Sequence, residues 1–253
     1  MTNEILIFAS AFFAGLVNSI AGGGTFLTFP VLIFSGVPAI VANATSAVAL
    51  WPGTVTATIS YRKHLISEPF VKKIIFVVIA GSILGSFLLL FTPEQNLKAA
   101  IPYLLLFASF VFTFGKKIVD KIKKNNAATS DLPNNRMNLK RYAYIFAASV
   151  YGGYFGAGMG ILILALFELL SFGDIYKMSA LKTLVASTVN GVAVVIFIFA
   201  GIVDYKIAGI MVFAAIMGGF LGANYVQKTS AKTVRTVIMV IAWSITAMAF
   251  YKF

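Results

Sequence analysis

The sequence has no cysteine, a single histidine (His64) and only 8 acidic residues among 253. Without cysteine there are no disulfides, thiolate ligands or Fe–S clusters. One histidine beside Arg62 and Lys63 completes no metal site and reads as a loop residue. No G-x-x-x-x-G-K-[ST] loop cradles ATP phosphates, and neither H-E-x-x-H nor G-x-S-x-G occurs. No catalytic residue, metal or cofactor is therefore predicted, and the chain is not expected to be an enzyme. Charge of either sign is scarce, at 11% of residues against roughly 25% in soluble domains.

What fills the chain is apolar: 60% of residues are hydrophobic and the mean hydropathy is +0.93. No Asp, Glu, Lys or Arg occurs between Ile5 and Tyr61. Further charge-free stretches run 74–93, 99–115, 142–167, 183–203, 207–227 and 236–251. A helix needs about 20 apolar residues to cross the hydrocarbon, and lipid offers no water to a free backbone group. The stretches therefore read as membrane helices. The first has no basic segment ahead of it and continues into more apolar sequence, unlike a cleaved leader. The net charge of +12 sits in loops between these runs, as cytoplasmic loops collect Lys and Arg. That pattern predicts a lipid bilayer as partner and no nucleic acid.

The chain repeats itself. Gly15, Ser19 and Gly22-Gly23-Gly24 match Gly153 and Gly156-Ala157-Gly158-Met159-Gly160. Ala42-Asn43-Ala44-Thr45-Ser46 matches Ala180-Leu181-Lys182-Thr183-Leu184, and Gly81 to Ser86 matches Gly218 to Ala223. The order is kept, with offsets of 134 to 138 residues. The division predicted is a first transmembrane repeat over 1–115, a basic cytoplasmic linker over 116–141 and a second repeat over 142–253. The linker can be helical over Lys116–Lys124.

Two topologies fit. Each half can cross four times, or can open with a helical hairpin that enters and leaves on one side and is followed by three spans. In the second case the halves are inverted. An arm over residues 25–36 is about 18 Å long, short of the ~30 Å core. Eight spans leave Lys98, Lys177, Lys228, Lys232 and Arg235 outside, whereas hairpins leave only Lys98, Lys206 and Lys252. The positive-inside rule favours hairpins. The expected fold is an all-α polytopic membrane protein of two homologous, inverted halves. Each half is a glycine-broken hairpin plus three transmembrane helices.

A helix break exposes N–H groups that lack an intrahelical partner, and the helix dipole adds partial positive charge there. Glycine lets an anion approach those groups, and inverted-repeat transporters use broken helices in this way. The candidate anion site is Gly22, Gly23, Gly24 and Thr25 at one break and Gly156, Gly158 and Gly160 at the other. Close helix packing explains the same glycines. Thr45, Ser46 and Thr183 offer hydroxyls, though such groups often bond their own helix. Lys182 can neutralise substrate charge or snorkel to the surface. Asn18 and Asn190 can line the cavity or link helices. Glu168, the one acid inside an apolar run, is a proton-coupling group or simply reaches water near Ser171.

These residues carry a resemblance. Ala14-Gly15-Leu16-Val17-Asn18-Ser19-Ile20-Ala21-Gly22-Gly23-Gly24, continuing to Pro30 and Gly36-Val37-Pro38, resembles the opening of the sulfite exporter TauE/SafE family. Thr54 to His64, Tyr154 to Gly160 and Gly201-Ile202-Val203-Asp204-Tyr205 are similar to it as well. The resemblance covers nearly the whole chain. It implies a permease or exporter of sulfite, sulfoacetate or related sulfur-containing anions, in a prokaryotic inner membrane. Thr25 and Phe26 depart from the family's longer glycine run. The expected partner is a small anionic substrate, with proton coupling and a homodimer left open. Other readings are transport of another small anion or metabolite, or an assembly or intramembrane enzyme subunit. A polar cavity open to one side favours transport, and a dry, packed interior favours assembly.

Overall fold

The structure is a computed structural model that describes residues 2–20, 23–64, 71–126, 139–170, 175–225 and 231–252. Gly22 and positions 127–138 of the linker lie outside the described residues. No strand occurs among the described residues. The first five helices are α1 (Thr2–Ile20), α2 (Thr25–Phe34), α3 (Ala39–Tyr61), α4 (Val71–Phe91) and α5 (Glu94–Asn126). The next five are α6 (Leu139–Tyr154), α7 (Met159–Leu169), α8 (Ile175–Phe199), α9 (Tyr205–Tyr225) and α10 (Ala231–Lys252). α5 continues past position 115, so the backbone over Lys116–Lys124 is helical.

α4, Glu94–Gly115 of α5 and Lys177–Phe199 of α8 are each long and apolar enough to cross a membrane. Phe76, Phe91, Phe199, Phe213 and Phe220 stand 63–87% exposed on the outer faces. Apolar surface on this scale belongs in lipid, not water. The molecule is an all-helical, multi-pass membrane protein.

Helix ends are fixed by charges and glycines outside the apolar runs. Both carboxylate oxygens of Glu94, at the start of α5, accept from α3: Oε1 from the Ala39 N–H at 2.6 Å and Oε2 from Ile40 at 3.2 Å. They satisfy two donors that α3 itself cannot pair. Asp204 caps α9 in the same way, accepting from the Ile207 N–H at 3.0 Å. Gly36 closes α2 at φ +89°, with the Val37 N–H donating back to the Leu32 carbonyl.

The two sets of five helices pair reciprocally. α1 packs on α9 as α6 packs on α4, α2 on α3 as α7 on α8, and α5 on α7 as α10 on α2. The first of these contacts are backbone on backbone. A Cβ on Gly15 would strike the Ala215 carbonyl, and one on Gly218 the Phe12 carbonyl. Across α4 and α6, a Cβ on Gly85 would strike the Val150 carbonyl and one on Gly81 would meet the Phe146 carbonyl at 2.8 Å. The repeated glycines of the sequence are thus the sites where helices touch most closely.

Direction follows from the contacts. α1 and α9 run parallel, with Glu4 paired to Lys206 at 2.9 Å near both starts. α5 and α10 run antiparallel through Tyr103–Phe250, Ser109–Thr246 and Thr113–Trp243. α3 and α8 also run antiparallel: Trp51 Nε1 donates to the Ser187 carbonyl at 3.1 Å, while Thr45 sits by Asp204 beyond the end of α8. One pole of the bundle therefore gathers Glu4, Phe34, Glu94, Lys206 and Lys252, with the Lys252 ammonium 4.5 Å from the centre of the Phe34 ring. The other pole carries the helix ends with Arg62, Lys63, Lys72, Lys73, Lys117, Lys140, Arg141 and Lys177.

Gly85→Val is expected to destabilise the protein by about 1–3 kcal/mol, because the side chain must push two backbones apart. Gly209, with nothing within 4 Å of its Cβ position, supplies the contrast. Gly209→Ala should be neutral or stabilising by up to about 1 kcal/mol. Thermal unfolding in detergent measures both, and equal Tm values would contradict the close α4–α6 contact. Glu94→Ala removes a cap from α3 and should cost about 0.5–2 kcal/mol in the same assay.

Candidate functional site

The break between α1 and α2 is closed by its own side chains. Gly23 takes φ +96° and its carbonyl accepts from the Phe26 N–H at 3.0 Å. The Gly24 N–H donates to Asn18 Oδ1 at 2.8 Å, and the Gly24 carbonyl accepts from Leu27 and Thr28. Asn18 thus stands where an anion would cap α2. A Cβ on Gly24 would meet the Ala14 carbonyl at 2.8 Å, so no spare volume lies there. Thr25, half-buried, opens α2.

The break between α6 and α7 is built differently. Gly156 and Gly158 take φ +73° and +71°, with Gly158 as the N-cap of α7. The Gly156 N–H returns to the Tyr151 carbonyl, and the Tyr151 hydroxyl donates to the Ala157 carbonyl at 2.6 Å. That bond turns the Ala157 carbonyl toward Tyr151. Among the described residues, the N–H groups of Ala157, Gly158 and Gly160 meet no acceptor. Gly160 is half-buried and has nothing within 4 Å of its Cβ position.

The two breaks meet through an aromatic ring. Phe26, fully buried, lies 3.5 Å from the Gly23 Cβ position and 3.6 Å from that of Gly158. It stacks edge-on against Phe112 of α5, and one turn on Phe29 stacks edge-on against Phe155. The rings of Phe26 and Phe29 fill the space between the breaks.

The other predicted residues fall around this centre. Ser46, buried, shares a 2.6 Å hydrogen bond with Thr28, and Thr45 accepts from the Asp204 N–H at 3.1 Å. Thr183 donates to the Ala180 carbonyl of its own helix. Lys182 is half-buried in α8 and has no hydrogen-bond or ion-pair partner among the described residues. Asn190 lies in α8 beside Gly191, which packs on the Trp51 indole. Glu168 sits in the last turn of α7, toward the basic pole. Gly22 lies outside the described residues.

Two residues were not singled out from the sequence. Asn43 donates to the Tyr154 carbonyl at 2.9 Å and ties α3 to the second break. Tyr151 holds the Ala157 carbonyl. Both stand in charge-free runs, where a polar side chain must find a partner, and that requirement is the signal that marks them.

The comparisons with known proteins agree with this architecture. A model of the sulfite exporter TauE/SafE family matches residues 7–249. A "probable membrane transporter protein" of Haemophilus influenzae is 26% identical over 250 residues, covering 97% of this chain and 94% of its own. The "probable membrane transporter protein ORF9" of a Sinorhizobium species is 25% identical over 243 residues, covering 93% and 88%. The "probable membrane transporter protein YfcA" of Escherichia coli K12 is 26% identical over 249 residues, covering 97% and 89%. No solved structure matches the chain. With helices sized for lipid and a family match from end to end, the chain belongs to the sulfite exporter TauE/SafE family and is a multi-pass membrane transporter of the cell membrane.

Proposed function

We propose that the chain is a secondary transporter, an exporter or permease, that moves a small sulfur-containing oxyanion such as sulfite, or an organosulfonate such as sulfoacetate, by alternating access. The anion binds at the glycine-rich helix breaks near the bilayer midplane. The observation that carries this reading is the set of amides at Ala157, Gly158 and Gly160 that meet no acceptor among the described residues, beside open space at Gly160. Such donors at a helix start suit an oxyanion, and an uncompensated amide in lipid is costly.

The transport unit is two homologous, inverted halves, 1–115 and 142–253, joined by the basic cytoplasmic linker 116–141. Support comes from the pairs α3–α8 and α5–α10. They are corresponding helices of the two halves, and each pair runs antiparallel, as inversion requires. α2, of 10 residues, reaches about 15 Å from its pole, half the ~30 Å core. The basic pole then faces the cytoplasm. Lys182, on the helix beside α7, supplies positive charge for the substrate, and Thr25, Thr45, Ser46, Thr183 and Asn190 line its route.

Flux of sulfite and sulfoacetate into proteoliposomes, with and without a pH gradient, tests the reading. Saturable flux is expected, and dependence on the gradient would mean proton coupling. No flux of either anion by folded protein would remove the substrate assignment. Gly160→Leu is the informative variant. Its Cβ meets nothing, and leucine favours a helix over glycine by about 0.8–1 kcal/mol. The variant should keep its Tm and lose most flux, whereas retained flux would take the anion away from this break. Lys182→Met should raise the KM about tenfold, a loss near 1.4 kcal/mol, and Lys182→Arg should recover part of it. An unchanged KM in Lys182→Met would leave Lys182 with no part in binding.

A further inference from the structure

The two breaks correspond in sequence but not in content. The N-cap of α2 is Gly24 and that of α7 is Gly158. Two positions further on, the first half carries Phe26 and the second carries Gly160. Phe26 has no exposed surface, while the Cβ position of Gly160 has no neighbour within 4 Å. One half inserts a ring where its counterpart leaves room.

The ring also touches both halves. Its edge lies on Gly23 of its own break and on Gly158 of the other. Phe112, at a centroid distance of 5.8 Å and 84°, holds it from the α5 side, and the Ala108 carbonyl of α5 lies 3.4 Å from the Cβ position of Gly158. A methyl group at Gly23 or Gly158 would stand in ordinary van der Waals contact with this ring, at 3.5 and 3.6 Å, so it is the positive φ of both residues that favours glycine there. The ring thus lies within contact distance of both breaks.

We propose that Phe26 is the plug of the transport path: its ring seals the space between the two glycine breaks, and substrate passes only when α2 moves it off Gly158. This rests on the transport reading above and adds to it a single residue that sets which face reaches the break. A hydrated anion cannot share a space closed by a fully buried ring, so the ring leaves before the anion enters. α2 is suited to the movement. It is a 10-residue arm, the shortest α-helix among the described residues, and its Thr28 shares a side-chain hydrogen bond with Ser46 of α3.

The chain has no native cysteine, so one thiol reports alone. Gly160→Cys in the full-length protein places it beside the break, where a Cβ has space. Right-side-out and inside-out membrane vesicles are treated with a membrane-impermeant maleimide. With Phe26 in place, labelling is expected from one face only. With Phe26→Ala added, labelling from the second face should rise from background to the rate of the first, and Phe26→Trp should restore the one-sided pattern. Phe197→Ala truncates an equally buried ring away from the breaks and is the control for general loosening. One-sided labelling in Phe26→Ala, or two-sided labelling in Phe197→Ala as well, overturns the plug. Sulfite and sulfoacetate flux through the protein with its native Gly160 separates the two claims. Two-sided labelling specific to Phe26→Ala with no flux of either anion keeps the plug and removes the substrate reading. Flux with labelling that ignores Phe26 does the reverse.

Discussion

α1 and α9, and likewise α4 and α6, approach until backbone touches backbone. At Gly15, Gly218 and Gly85 even a methyl group would overlap a carbonyl of the facing helix. In lipid, helices gain nothing by hiding apolar surface from one another, so van der Waals contact at short range holds them together. Every other feature of the bundle hangs on these seams. They bind a helix of each half into the other, and they fix the parallel course of α1 with α9 that brings Glu4 to Lys206. With the seams set, α3 crosses α8 and α5 crosses α10 at the centre, where Trp51, Ser109 and Thr246 make the crossing bonds.

A second constraint acts on the breaks. An interrupted helix within the membrane leaves backbone groups that water cannot reach. The first half answers with Asn18, whose carboxamide oxygen takes the Gly24 amide. At the second break polar side chains meet carbonyls instead: Tyr151 donates to Ala157, and Asn43 of α3 donates to Tyr154. The two breaks, similar in sequence, thus differ in what their side chains meet: an amide at Gly24, and carbonyls at Tyr154 and Ala157.

That difference joins the family to the chemistry. Membership in the sulfite exporter TauE/SafE family and relatives described as membrane transporters fix the class of activity. The polar side chains at the two breaks and the aromatic packing of Phe26 and Phe29 between them are what this chain brings to that class.

The sequence by itself determined the membrane class, because charge-free runs of about 20 residues have no other stable place. It also pointed to the glycines at which helices touch, Gly15, Gly81, Gly85, Gly153 and Gly218. It marked the breaks through their glycine runs. It did not separate packing glycines from site glycines, since both roles ask only for a missing Cβ. Nor did it assign partners to Thr45, Ser46 and Thr183, each of which is bonded within the protein. Thr183 bonds its own helix and Asn18 caps Gly24 six positions on, but the partners of Ser46 and Thr45 lie 18 and 159 positions away, and only the tertiary structure brings them together. Gly160 became an open position and Phe26 a shared wall because of the helices that surround them, not because of the residues beside them in the chain.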